Sequence, residues 1–90
     1  MNNKVVYIVT THGCSACKCQ EYILKEVLKE HKDIELKVID RCEVPEWIRT
    51  NIVLTDFPTI IFIEDDIIKY HFVGTKSNGK IEALIKDINF

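Results

Sequence analysis

Lys4-Val5-Val6-Tyr7-Ile8-Val9-Thr10, Thr11-His12-Gly13 and Cys14-Ser15-Ala16-Cys17 follow one another without a gap. The first run is apolar and rich in β-branched residues, which predicts a buried strand. The second is a short turn. The residues from Ser15 to about Glu30 place apolar side chains at Ala16, Ile23, Leu24, Val27 and Leu28 with Lys and Glu between them. That spacing predicts an amphipathic helix. The two cysteines therefore fall where a strand ends and a helix begins. A cysteine there faces unpaired backbone N–H groups and the positive end of the helix dipole, and both favour thiolate over thiol. The dipole contributes about 0.3–1 kcal/mol, at most about 2. The second sulfur lies one turn on, within disulfide reach. A nucleophilic thiolate beside a second thiol is the chemistry of dithiol–disulfide exchange.

Outward from this motif the chain reads as alternating elements. Ile34–Asp40 alternates and predicts a second strand. Pro45 to about Ile52 predicts a short helix, with Pro at its first turn and the Glu46 charge favourable there. Thr59–Ile63 predicts a buried strand, Glu64-Asp65-Asp66 a tight solvated connection, and Ile67–Val73 its hairpin partner. Gly74 ends that strand. Ser77 is a good N-cap for a last helix with an apolar face of Ile81, Leu84, Ile85 and Ile88. The order is βαβαββα, an α/β architecture. The first two strands need a crossover and so run parallel, and the last two form an antiparallel hairpin. The expectation is a four-stranded mixed sheet with helices on both faces.

Ninety residues make one domain, residues 1–90, with no repeat and no internal linker. Twelve Lys and Arg against 14 Asp and Glu leave a formal charge of −2, so no basic stripe is available to neutralise phosphates, and no nucleic-acid partner is expected. No apolar run reaches the roughly 18 residues of a membrane span, and Met1-Asn2-Asn3-Lys4 does not open like a leader. The reading is therefore cytoplasmic, with no membrane partner. Four cysteines in that setting point to redox or metal chemistry before structural disulfides.

This order, with C-x-x-C opening the first helix, resembles the thioredoxin/glutaredoxin-like family across nearly the whole chain, and thioredoxin more closely than glutaredoxin. Gly13-Cys14-Ser15-Ala16-Cys17-Lys18 resembles the thioredoxin active-site loop. Asp40 followed by Pro45-Glu46 is similar to the family's stretch into its second helix. Phe57-Pro58-Thr59-Ile60-Ile61-Phe62 resembles the segment with the family's cis-proline, and Val73-Gly74-Thr75-Lys76-Ser77-Asn78-Gly79 its approach to the last helix. There are departures. Gly13 stands where the family usually has Trp, and Ser15-Ala16 replaces Gly-Pro. Ile8 stands where the family has a buried Asp that assists protons at the second Cys. No standard glutathione site is expected at Gly74-Thr75-Lys76-Ser77.

The resemblance implies a small thiol–disulfide oxidoreductase that needs no cofactor and no metal. Cys14 would attack a substrate disulfide and Cys17 would resolve the mixed disulfide. Pro58 would sit beside the sulfurs, with Gly13, Ser15, Ala16, Phe57, Gly74 and Thr75 forming the surface that receives a disulfide-containing protein. The implied electron donor is a thioredoxin-reductase-like flavoprotein or glutathione, and the expected state is a monomer.

His12, Lys18, Cys19 and Cys42 are auxiliary candidates. His12 is a solvated loop residue or an aid to the thiolate, and Lys18 a solvated helix residue or an electrostatic aid. Cys19 lies about 200° around the helix from Cys17 and points away from the pair. It is a tolerated small residue, or an auxiliary thiol. Cys42 is an isolated thiol or a resolving partner. Trp47 reads as packing. A different class of function is a zinc or copper module using His12 and the four cysteines. A third is a non-catalytic interaction module.

Overall fold

A computed structural model of the chain describes residues 3–90. Met1 and Asn2, part of the opening stretch read above as unlike a leader, lie outside them. The elements are β1 (Lys4–Thr10), α1 (Ser15–Leu28), β2 (Ile34–Asp40), a 3-10 turn (Arg41–Glu43), α2 (Glu46–Arg49), β3 (Thr59–Glu64), β4 (Ile67–Val73) and α3 (Asn78–Asp87). The sheet order is β2-β1-β3-β4. β1 pairs parallel with β2 and antiparallel with β3, and β3 pairs antiparallel with β4. The expected βαβαββα order and mixed sheet are both present.

The order explains the burial of each strand. β1 and β3 are central and covered on both faces, so they read as near-continuous apolar runs. Val6, Ile8, Val9, Ile60, Ile61 and Phe62 are fully buried. β2 and β4 are edges and expose much of their length. α1 and α3 cover one face, where Leu24, Val27, Ile81 and Ile85 close over Val6, Ile8, Ile60 and Phe62. Ile48 and Ile52 cover the other face against Val9, Ile61 and Ile63.

Four expectations need correction. α1 ends at Leu28 rather than near Glu30, and the chain leaves through hydrogen bonds from Glu30 to Val27 and from His31 to Leu28. The polar stretch after it has no apolar residue to bury until Ile34. Ala16 is exposed, and Cys17 and Gln20 take the buried positions of the first turns instead. The second helix is only four residues, with Pro45 as its N-cap. Ile52 is buried beyond the helix end, so the expected apolar face exists although the helix stops. Finally β3 runs on through Glu64. Asp65 and Asp66, with φ of 52° and 64°, make the connection alone. Positive φ at both central residues is the two-residue hairpin geometry that matches strand twist, and Asp tolerates it. Lys69 is an extra residue opposite the Phe62–Ile63 step and bulges β4 there.

Candidate active site

β1 delivers the chain to Thr10 at one end of the sheet, and Gly13 turns it into α1. Gly13 has φ of 72°, in the left-handed region where a β-carbon is disfavoured. This is a local reason for glycine at the position where the resemblance leads one to expect Trp. Cys14 is the N-cap of α1, with extended backbone, and its Sγ accepts a hydrogen bond from the Cys17 N–H at 3.1 Å. Cys14 and Cys17 are joined as a disulfide with Cα atoms 5.3 Å apart. Cys14 is partly exposed whereas Cys17 is 2% exposed, so an incoming group meets Cys14 first. A backbone N–H aimed at the Cys14 sulfur is the kind of donor that favours negative charge on it in a reduced pair.

The strand pairings put the other predicted segments at the same end of the sheet. Val9 faces Thr59, and Thr59 faces Val73, so Pro58 and Gly74 lie just beyond the same row as Thr10. The Phe57–Pro58 bond is cis. Pro58 is buried and Phe57 partly buried. The Gly74 N–H donates to the Pro58 carbonyl at 2.9 Å, and Thr59 Oγ1 donates to the Asp56 carbonyl at 2.7 Å. Gly74 has φ of 97°, a conformation that favours glycine. Thr75, Ser15 and Ala16 are exposed.

Beside the disulfide, toward β2, runs a groove of about 570 Å³ lined by Thr11, Gly13, Cys14, Lys18, Glu21 and Val38 among others. Lys18 thus flanks the pair. His12 is exposed and near enough to act on the Asp40 carboxylate. Asp40 caps the 3-10 turn by accepting from the Cys42 N–H at 2.9 Å. That bond, then one from the Cys42 side chain, then the charges of Arg41 and His12, hold the Asp40 carboxyl below the ordinary aspartate range. Cys19 and Cys42 are exposed free thiols. Among the described residues no group of three His, Cys, Asp or Glu side chains is arranged to hold a metal ion, so His12 and the four cysteines do not converge on one site.

Gln20 and Glu21 were not singled out from the sequence. Gln20 is fully buried, and its amide both accepts from the Lys76 N–H at 2.6 Å and donates to the Lys76 carbonyl at 3.2 Å. The signal that marks it is a polar residue on the buried stripe of α1, three positions after Cys17.

Comparison with known proteins bears on the fold. No family model and no curated protein matches the sequence. Solved structures do match. Thioredoxin-2 of the malaria parasite's protein secretion machinery superposes with a TM-score of 0.78 at 23% identity, over 96% of this chain and 84% of that one. Mitochondrial thioredoxin 3 from Saccharomyces cerevisiae, in its oxidised form, gives 0.76 at 23%, over 97% and 80%. A malarial protein gives 0.79 at 22%, over 98% and 99%. The chain has the thioredoxin fold.

Proposed function

We propose that this protein is a thiol–disulfide oxidoreductase that works as a cytoplasmic reductant of protein disulfides. The observation that carries the proposal is the Cys14–Cys17 pair at the α1 N-terminus, with the more exposed sulfur receiving a backbone N–H. In the reduced protein the Cys14 thiolate attacks one sulfur of a substrate disulfide. The Cys14–substrate bond forms as the substrate S–S bond breaks, and the leaving thiolate takes a proton. Cys17, deprotonated, then attacks Cys14 Sγ, which releases the second substrate thiol and leaves the Cys14–Cys17 disulfide. Two electrons pass from the protein to the substrate. A thioredoxin-reductase-like flavoprotein or glutathione returns them.

The roles differ because the burial differs. Cys14 at the helix cap meets the partner, and the buried Cys17 is reached only by its neighbour. The proposed docking surface is Gly13, Ser15 and Ala16 on one side and Phe57-Pro58 with Gly74-Thr75 on the other. These segments share one end of the sheet, and an extended substrate strand would lie between them. Lys18 adds positive charge beside the pair. Ile8, fully buried on the α1 face, supplies no carboxylate for the proton that Cys17 must lose. Proton loss from Cys17, and with it release of the mixed disulfide, is accordingly expected to be slower than it would be with a carboxylate at this position.

Insulin reduction tests the reading. Wild type is expected to reduce insulin with dithiothreitol as donor, Cys14→Ser to be inactive, and Cys17→Ser to accumulate a covalent mixed disulfide visible by mass spectrometry. Insulin reduction by Cys14→Ser at the wild-type rate would reject Cys14 as nucleophile. The direction of flow is read from the potential of the pair in thiol–disulfide buffers. A value near about −270 mV supports a reductant, and one between about −180 and −120 mV an oxidant or isomerase.

A further inference from the structure

We propose that Gln20 is a positioning residue for substrate docking, holding the Gly74–Lys76 segment against the helix that carries the redox pair. The inference rests on the oxidoreductase reading and adds a residue to it.

Gln20 and Thr59 are the buried polar residues among those described, and Gln20 has no exposed surface. An amide in such a place is costly unless both its ends are satisfied. Here both ends are spent on one residue. The Gln20 carbonyl takes the Lys76 N–H and its NH₂ group meets the Lys76 carbonyl, as a neighbouring strand would. Lys76 needs such a partner because β4 has ended at Val73 and α3 starts only at Asn78. Two residues earlier the Gly74 N–H is bound to the Pro58 carbonyl. The Lys76 ammonium lies 4.9 Å from the centroid of the Phe72 ring, which draws that side chain back along β4. The segment is thus tied at one point to Pro58 and at another to α1, one turn beyond Cys17. A free loop would lose conformational entropy whenever a substrate strand ordered it, and a loop already held avoids that cost. Thr75, between the two ties, stays exposed to meet the partner.

The test replaces Gln20 by Met, which keeps the side chain's bulk and apolar stem and removes both hydrogen bonds. With insulin as substrate, Gln20→Met is expected to raise KM roughly tenfold, the scale of one to two lost hydrogen bonds, and to leave kcat within about twofold. Reduction of a small aromatic disulfide, which needs no docking wall, is expected to proceed at the wild-type rate, and the Cys14–Cys17 potential to stay unchanged. The Lys76 amide is expected to exchange slowly with deuterium in wild type and faster in the variant. An unchanged KM for insulin overturns the proposal. So does a parallel fall in both substrates' rates together with the melting temperature, which marks Gln20 as purely structural. Unchanged Lys76 exchange overturns it independently of activity. Wild-type protein that leaves insulin oxidised removes the oxidoreductase reading itself, and the docking role falls with it.

Discussion

Single side chains at the strand–helix junction divide the chemistry between them. Cys14 caps α1 and so occupies the one place where the first turn offers an unpaired N–H to sulfur. Alkylation of the reduced protein at neutral pH is therefore expected to fall on Cys14 well before Cys17, as read by mass spectrometry after a short exposure to iodoacetamide. Asp40 shows the same logic at the neighbouring strand end. Its carboxylate is held first by the Cys42 N–H, so its titration by NMR is expected below the ordinary aspartate value. Cys42→Ala should keep most of that depression, since the backbone bond is the largest cause. A lowered folded value means that Asp40 contributes stability above the ordinary aspartate range, and that the contribution disappears as pH falls through the folded value. Ile8→Asp should act in two ways. Decay of the mixed disulfide quickens if the carboxylate accepts the Cys17 proton, while the urea midpoint falls because an ionisable group replaces apolar packing in a fully buried site, at a cost of more than about 3 kcal/mol.

Elements were legible in proportion to their length and their apolar pattern. β1 is marked by its apolar, β-branched run, β2 by alternation and α3 by helical spacing, and the β1–β2 and β3–β4 pairings follow from the connections. α2 was only half legible. Pro45 marks its start, but four residues make too few hydrogen bonds to hold a helix alone. Ile48 and Ile52 anchor this stretch to β1 and β3. Ile48→Ala is expected to cost about 2–5 kcal/mol by urea denaturation, with no change in the Cys14–Cys17 potential. A cost below about 1 kcal/mol would mean that the stretch is held by something other than this burial. Ala16 and Gln20 were misread or missed for one reason. Periodicity assigns a helix face by hydrophobicity, whereas the first two turns of α1 bury a disulfide sulfur and an amide.

The molecule closes on itself through aromatic contacts. Phe62 on β3 is fully buried and meets Phe90 edge to face at 5.2 Å between ring centroids, with Phe72 and Tyr70 beside it. The Lys4 ammonium donates to the Phe90 carbonyl at 2.6 Å, so β1 and the segment after α3 are fastened together. Phe90→Ala is expected to cost about 3–5 kcal/mol. A domain of this size has a total stability of only about 5–15 kcal/mol, so the melting temperature should fall by many degrees. A shift of only one or two degrees would show that Phe90 adds little to the core.

The sequence by itself determined the order of elements, the parallel β1–β2 and antiparallel β3–β4 pairings and the location of the reactive pair, whereas the antiparallel β1–β3 pairing that joins the two halves came only with the tertiary structure. These depend on local preferences: β-branched runs, helical spacing, a cap, and a cysteine at a strand–helix junction. Tertiary structure decided the rest. It decided that Cys14 is the open sulfur and Cys17 the closed one, because burial depends on which helix face meets the sheet. It brought Pro58 to Gly74 and Gln20 to Lys76, pairs separated by 16 and 56 positions. It also kept His12, Cys19 and Cys42 from joining the redox pair in a metal cage. Convergence of distant side chains is a property of packed elements, and no local pattern encodes it.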